Sequence, residues 1–350
     1  MKAAVYYGKE NVVIEERHEP KPGKKEVKIK VKWCGICGSD LHEYFEGPIA
    51  IPTKPHPLTG KCIPLIIGHE FSGEIVEVGE GVKGWKIGDR VTCDASIVDW
   101  ECYWCKRFQT NYCEKLAVTG VQSDGAFAEY VVVNDYQLRR LPPNVSYEEG
   151  AMIEPLACAV QAMRRVEMQP GDTVFIAGSG PLGLCCLKVA LAAGAGEVYV
   201  SQRSKERREI AKLDATKVFD PTVDDIKKEI LQLTNGVGVD VAFEAVGSES
   251  ALRTCLDVVK KRGKICTLGM FRDPIPINPF IDITATGKSI VGSIIYDPTD
   301  FDRSLKLIST GKVKLQPLLT GKIKLDDIVE KGFMELRHKR SHIKILVSPE

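Results

Sequence analysis

The chain has 350 residues, 44% hydrophobic and 27% charged, enough for about two domains with a core in each. Its 48 Lys and Arg against 47 Asp and Glu leave a net charge of +1, which argues against nucleic acid or an acidic membrane leaflet as the main partner. No apolar run approaches the ~20 residues of a membrane span. The opening Met1–Tyr7, followed by the charged Lys9-Glu10, lacks the pattern of a secretion signal, so a cytoplasmic protein is expected.

Residues 1–150 carry short strand-like runs broken by Gly and Pro: Val27–Val31, Phe71–Val78, Arg90–Cys93 and Glu129–Val133. Such a pattern predicts a β-rich, barrel-like module. From about 170 to 295 strands and helices alternate. Strands are predicted over Thr173–Ala177, Glu197–Ser201, Val218-Phe219, Val239–Phe243, Lys264–Leu268 and Ser289–Ile294. Helices are predicted over Pro181–Ala193, Ser204–Leu213, Val223–Leu233 and Ser250–Lys261. Apolar strands alternating with helices predict an α/β, doubly wound parallel sheet. A helix over Phe301–Ser309 and a strand over His342–Val347 close the chain, and this tail is expected to fold back onto the first half.

At the first strand-to-helix junction stands Gly178-Ser179-Gly180-Pro181-Leu182-Gly183, a G-x-G-x-x-G in the context that gives it meaning. Gly178 allows the tight turn, Gly180 lets the backbone approach a pyrophosphate, and Gly183 brings helix close to sheet. Free N–H groups at the helix start would meet the anion. At the end of the next strand an NAD site carries an acid for the ribose hydroxyls. Here the run is Ser201-Gln202-Arg203-Ser204-Lys205, with Arg207 and Arg208 one turn on. A neutral amide beside a guanidinium suits a 2′-phosphate of about −1.5 to −2 charge, and Ser204, which reads as a helix cap, would add a hydroxyl and helix-end N–H groups to it. The expected cofactor is therefore NADP(H) rather than NAD. Val246, after a later strand, and Leu268, at the end of another, complete the candidate cofactor contacts.

The twelve cysteines call for metal in a chain of this length without a secretion signal. Asp99-x-x-Cys102-x-x-Cys105, with Cys113 after seven intervening residues, has the spacing of a closed, structural zinc site. Asp99 supplies the fourth donor, with Cys93 as its substitute. A second set is scattered: Cys37, His69 with its neighbour Glu70, and Glu154. One thiolate, one imidazole and one carboxylate would hold Zn²⁺ near neutrality and leave a position open for substrate. Cys185, Cys186, Cys255 and Cys266 lie in apolar segments and read as packing.

The runs Lys32–Tyr44 (with Cys34-Gly35-Ile36-Cys37-Gly38-Ser39-Asp40-Leu41-His42), Gly47-Pro48-Ile49, His56–Thr59, Gly68–Glu74 with Gly79 and Val82, Gly88–Val91 and Lys344–Val347 carry a resemblance over nearly the whole chain. It resembles the zinc-dependent medium-chain dehydrogenases, and within them the 2,3-butanediol dehydrogenases of the sorbitol dehydrogenase branch. The resemblance implies a GroES-like catalytic domain over 1–152 and 297–350 and a Rossmann domain over 153–296. It implies that Cys37, His69 and Glu154 bind the catalytic zinc and that Glu70 swings toward it. Ser39 would hand the substrate proton to His42, the relay base near solvent. Asp99 and Gln202-Arg203 depart from the usual cysteine and the usual NAD-type acid. The expected reaction is reversible oxidation of 2,3-butanediol to acetoin, with diacetyl reduction. A polyol or other secondary-alcohol dehydrogenase, NAD-dependent, is the alternative. Vicinal oxygens of a diol or hydroxyketone suit an open metal, and Tyr44–Leu58, with Phe45, Ile49 and Ile51, would shape a small pocket. A homodimer or homotetramer is expected.

Overall fold

The computed structural model describes residues 1–339 and 342–350. They form two compact units: residues 1–154, 297–309 and 319–350, and residues 155–296 with 310–318. The expected boundary at 152 thus falls after Glu154, and 310–318 cluster with the second unit rather than the first.

The first unit opens with a hairpin, β1 (Lys2–Gly8) and β2 (Asn11–Glu16), joined through Gly8 and Glu10, both at positive φ. There follow β3 (Glu26–Gly35), α1 (Gly38–Glu46), β4 (Leu65–Ile66), β5 (Glu70–Val78), β6 (Arg90–Cys93), β7 (Ser96–Ile97), β8 (Ala117–Val118), β9 (Tyr130–Asn134) and β10 (Leu138–Arg140). A short α2 (Tyr147–Gly150) precedes α3 (Ile153–Val166), whose first residues end this stretch. Along β3 the apolar Val27, Ile29 and Val31 alternate with lysines, the period-2 pattern of a strand with one face on a core. They pack with Phe71, Ile75 and Val91.

The second unit runs β11 (Thr173–Ala177), α4 (Pro181–Ala192), β12 (Glu197–Ser201), α5 (Lys205–Ala211), β13 (Lys217–Phe219), α6 (Ile226–Leu233), β14 (Val239–Glu244), α7 (Glu249–Val258), β15 (Val259–Thr267) and β16 (Ser289–Gly292). All six strands are parallel, in the order β13-β12-β11-β14-β15-β16, the doubly wound arrangement expected. Cys185, Cys186, Cys255 and Cys266 are buried within it. One expected helix overruns: 250–261 ends at Val258, where Val259 turns to extended backbone, and Arg262 then takes positive φ before Gly263. The helices expected from Ser204 and Val223 begin instead at Lys205 and Ile226, because Ser204 and Asp225 serve as caps.

The chain then adds α8 (Pro298–Ser309), β17 (Leu319–Lys324), α9 (Met334–His338) and β18 (Lys344–Ser348) to the first unit. β18 lies between β3 and β17 in a seven-stranded sheet, antiparallel to β3 through Leu346 opposite Gly35 and Val347 opposite Cys34. The tail does fold back onto the first half. Among the described residues no helix is long and apolar enough to cross a membrane.

Candidate active site

Three donors from one helix start and the start of one strand meet in the first unit. Cys37 caps α1, its N–H donating to the Asp40 carboxylate at 2.8 Å. His69 and Glu70 stand at the start of β5, after Gly68, whose φ of +100° and contact with the Phe127 ring leave no room for a side chain. One ligand atom each from Cys37, His69 and Glu70 lies within 4.8 Å of the others. A tetrahedral zinc needs donors roughly 3.5 Å apart, so a small inward movement closes this set on one ion. The His69 Nδ1 is buried without a hydrogen bond and lies 3.7 Å from Asp40 Oδ1. A soft thiolate, an imidazole and a carboxylate form a zinc donor set; the residues fit the metal.

The charges around this set are dense and buried. Burial pushes the Asp40 carboxyl up to about 6, against the pull of His69. Burial lifts Glu154 to about 7, with His69 opposing and Glu70 adding to the rise. Burial works against a charged His69, but Asp40 and Cys37 outweigh it and hold the imidazole well above its ordinary range. Lys344 on β18 faces Glu70 as a buried ion pair, and its Nζ donates to the Ile36 carbonyl at 2.9 Å. Gly35 is glycine because a Cβ there would strike the Glu70 carboxylate and the Lys344 side chain.

The expected ligand Glu154 feels His69 and Glu70 electrically but stands outside the three-residue group. It sits in the first turn of α3, and the carboxylate that joins Cys37 and His69 in the group is Glu70. Ser39 and His42 are three apart on α1 and so share a face. His42 is about a third exposed, with Nδ1 3.4 Å from Glu46. Of the expected pocket segment, Tyr44 and Ile51 are core and Phe45 packs on them, whereas Ile49 is exposed. The buried Glu43 carboxylate fastens this loop by accepting the N–H groups of Ile49, Ala50 and Ile51.

Asp99, Cys102, Cys105 and Cys113 also bring one donor each within 4.8 Å. Asp99 Oδ1 accepts the N–H groups of Cys102 and Glu101, both at 3.0 Å, which hold its carboxyl below the ordinary range. Three sulfurs and a carboxylate fit zinc. Cys93, the candidate substitute, is buried on β6 and stands outside the group.

In the second unit Gly178 has φ +99°, and a Cβ there would meet Val246 Cγ2 at 2.6 Å; one on Gly183 would meet the Gly178 carbonyl at 1.9 Å. A Cβ on Gly180 would find only Arg207 Nη1, at 3.9 Å. Gly180 caps α4 without a side chain and Pro181 starts it, so the first-turn amides are open and a guanidinium overlooks them. The cradle fits a pyrophosphate. At the end of β12 the Gln202 side chain accepts the Ser204 N–H at 3.1 Å. Ser204 Oγ accepts from Arg207 N and donates to Glu206, so the hydroxyl offered to a phosphate is committed to the cap. Arg208 holds the carbonyls of Gln202 and Arg203 and pairs with Asp220, whereas Arg203 is exposed.

Sequence reasoning passed over Asp40, Lys344, Glu43 and Glu244. Asp40 had a local signal, an acid three residues after the helix cap; Lys344 had none.

A soft-metal donor set and a dinucleotide cradle carried by one chain define a metal-dependent oxidoreductase. Residues 23–143 match the alcohol dehydrogenase GroES-like domain and 181–310 the zinc-binding dehydrogenase family. The chain is 41% identical to (R,R)-butanediol dehydrogenase of Bacillus subtilis, covering 100% of both. It is 36% identical to sorbitol dehydrogenase of Halalkalibacterium halodurans, over 100% of this chain and 99% of that one. The crystal structure of 2R,3R-butanediol dehydrogenase from Bacillus subtilis superposes with a TM-score of 0.93 at 40% identity, covering 100% and 99% of the two chains. The chain belongs to the zinc-dependent medium-chain alcohol dehydrogenases, oxidoreductases that use zinc and a nicotinamide cofactor.

Proposed function

We propose that this chain interconverts 2,3-butanediol and acetoin and reduces diacetyl, using NADP(H), as a cytoplasmic homodimer or homotetramer. The observation that carries the substrate is the end-to-end similarity to a butanediol dehydrogenase at 41% identity. What supports NADP(H) is the absence of a carboxylate at Gln202 and the exposed guanidinium of Arg203 beside it.

Cys37, His69 and Glu70 would hold the catalytic zinc, with Glu154 close by, and Asp99, Cys102, Cys105 and Cys113 the structural one. When bound, the zinc supplies a Lewis acid to the substrate oxygen and the nicotinamide a two-electron acceptor or donor. The protein's own residues manage the proton. Ser39 Oγ takes it from the alcohol, and His42, the neighbouring residue on the same face of α1, passes it to water. Histidine accepts and releases protons near neutral pH, and partial exposure gives it an exit. Reduction runs the same path backwards. Asp40, 3.7 Å from the His69 ring, sets a negative charge beside it, and Lys344 balances the charge of Glu70.

Steady-state kinetics with acetoin, diacetyl, 2,3-butanediol, sorbitol, isopropanol and threonine, each with NADP(H) and NAD(H), test the reading. Butanediol and acetoin should give the highest kcat/KM. Sorbitol ahead by more than about tenfold would make this a polyol dehydrogenase, the reading that the sorbitol dehydrogenase similarity favours. Arg203→Ala should raise KM for NADPH about tenfold, the loss of one charge-assisted contact, and leave NADH unaffected. Equal effects on both would move the phosphate elsewhere.

A further inference from the structure

Glu244 is the last residue of β14, paired with Ala177 of β11 immediately before the Gly178 turn. β11 stands between β12 and β14, so Glu244 lies at the switch point where a doubly wound sheet opens its crevice. It is fully buried, and burial pushes its carboxyl above the ordinary glutamate range.

Oε1 accepts the N–H groups of Val246 and Gly247, both at 2.9 Å. The Glu244 carbonyl accepts those of Leu268, at 2.8 Å, and Gly269, at 3.1 Å. Oε2 is buried without a hydrogen-bond partner and closes on Gly269, where a Cβ would lie 2.6 Å from it. Gly247, at φ +78°, packs so tightly that a Cβ would meet the Met270 carbonyl at 2.4 Å. The loops after β14 and β15 therefore lie backbone against backbone with one carboxylate between them. They present Val246 and Met270, each about half exposed, as an apolar surface. A buried acid with an idle oxygen costs stability, which suits a group retained for geometry.

We infer that Glu244 is a positioning residue for the nicotinamide half of the bound dinucleotide, fixing the Val246 and Leu268–Met270 loops as one platform. The inference rests on the nicotinamide-dehydrogenase reading. The β14–β15 side of the crevice serves the nicotinamide nucleotide, as the β12 side serves the adenosine. Glu244 itself acts through these loops.

Equilibrium binding of NADPH, NADH and 2′,5′-ADP, an adenosine-half probe, separates positioning from folding. Removing two hydrogen bonds to a carboxylate, Glu244→Ala should weaken NADPH and NADH roughly ten- to a hundredfold while 2′,5′-ADP changes less than about twofold. Glu244→Gln keeps the Oε1 acceptor and should stay within about threefold of the original protein. Zinc content should be unchanged in both variants. Parallel weakening of all three probes, or unchanged NADPH and NADH binding in Glu244→Ala, overturns the inference. An unmutated chain that binds neither dinucleotide overturns the dehydrogenase reading instead.

Discussion

Replacing Lys344 by Met keeps all but the last atom of the side chain's length and deletes its charge. The consequence follows from burial: Lys344 and Glu70 are each about 1% exposed or less, and Asp40 and Glu154 lie near the same carboxylate. Removing one partner of a buried ion pair costs about 3–5 kcal/mol, and the Ile36 carbonyl loses its donor, about 1 kcal/mol more. For a unit of roughly 200 residues that is a fall in Tm of roughly 10–15 °C. The effect belongs to metal-stripped protein, where no cation replaces the ammonium. All four tryptophans, Trp33, Trp85, Trp100 and Trp104, lie in the first unit, so tryptophan fluorescence follows that unit's melting alone. The second half of the test is Lys344→Met with Glu70→Gln, which removes both charges and should regain most of the lost stability. A single variant that melts within about 2 °C of the original, or a double variant no more stable than Lys344→Met, would refute the reasoning.

Asp99→Ala should cost one of two zinc equivalents on metal analysis, whereas Asp99→Cys should keep both and slow release to a chelator by at least about tenfold; two equivalents and unchanged release in Asp99→Ala would remove Asp99 from the donor set. Metal-stripped protein should grow more stable as pH falls from 8 to 5.5. Asp40 and Glu154, raised to about 6 and about 7, and the raised His69 all bind protons in the folded state that the unfolded chain releases. Stability is therefore lost as pH rises through those values, and zinc should stabilise more at pH 8 than at pH 5.5. A Tm that climbs with pH over this window contradicts the assignment.

The cofactor cradle was legible because its information is local: three glycines, an apolar strand and a helix in one short run define the turn wherever the rest of the chain lies. Cys37 and His69 were harder, since spacing alone cannot bring residues of separate runs together, and the family resemblance supplied what spacing could not. The β1–β2 hairpin escaped because its turn, Gly8-Lys9-Glu10, lacks the Asn-Gly or Asp-Gly signal that announces a tight connection. The helix before β15 was read too long because Val259-Lys260-Lys261 continues its amphipathic pattern, while the backbone there is claimed by strand pairing. Ser204 was read as a phosphate contact from residue type alone; in the folded chain Glu206 competes for its hydroxyl. Glu244 left no trace in the pattern, and Lys344 entered only within a run that matches the family, with nothing to mark its charge as buried. A buried charge is visible only once its partner or its cage is in place.

β18 has a consequence for how the protein is made. It is the last strand of the chain and lies beside β3, one of the first. Before β18 is made, Glu70 lacks its counter-charge and the Cys34–Gly35 end of β3 has β5 on one side but no strand on the other. Of the elements around the metal pocket β18 is therefore made last, and the charge of Glu70 stays unbalanced until that strand docks.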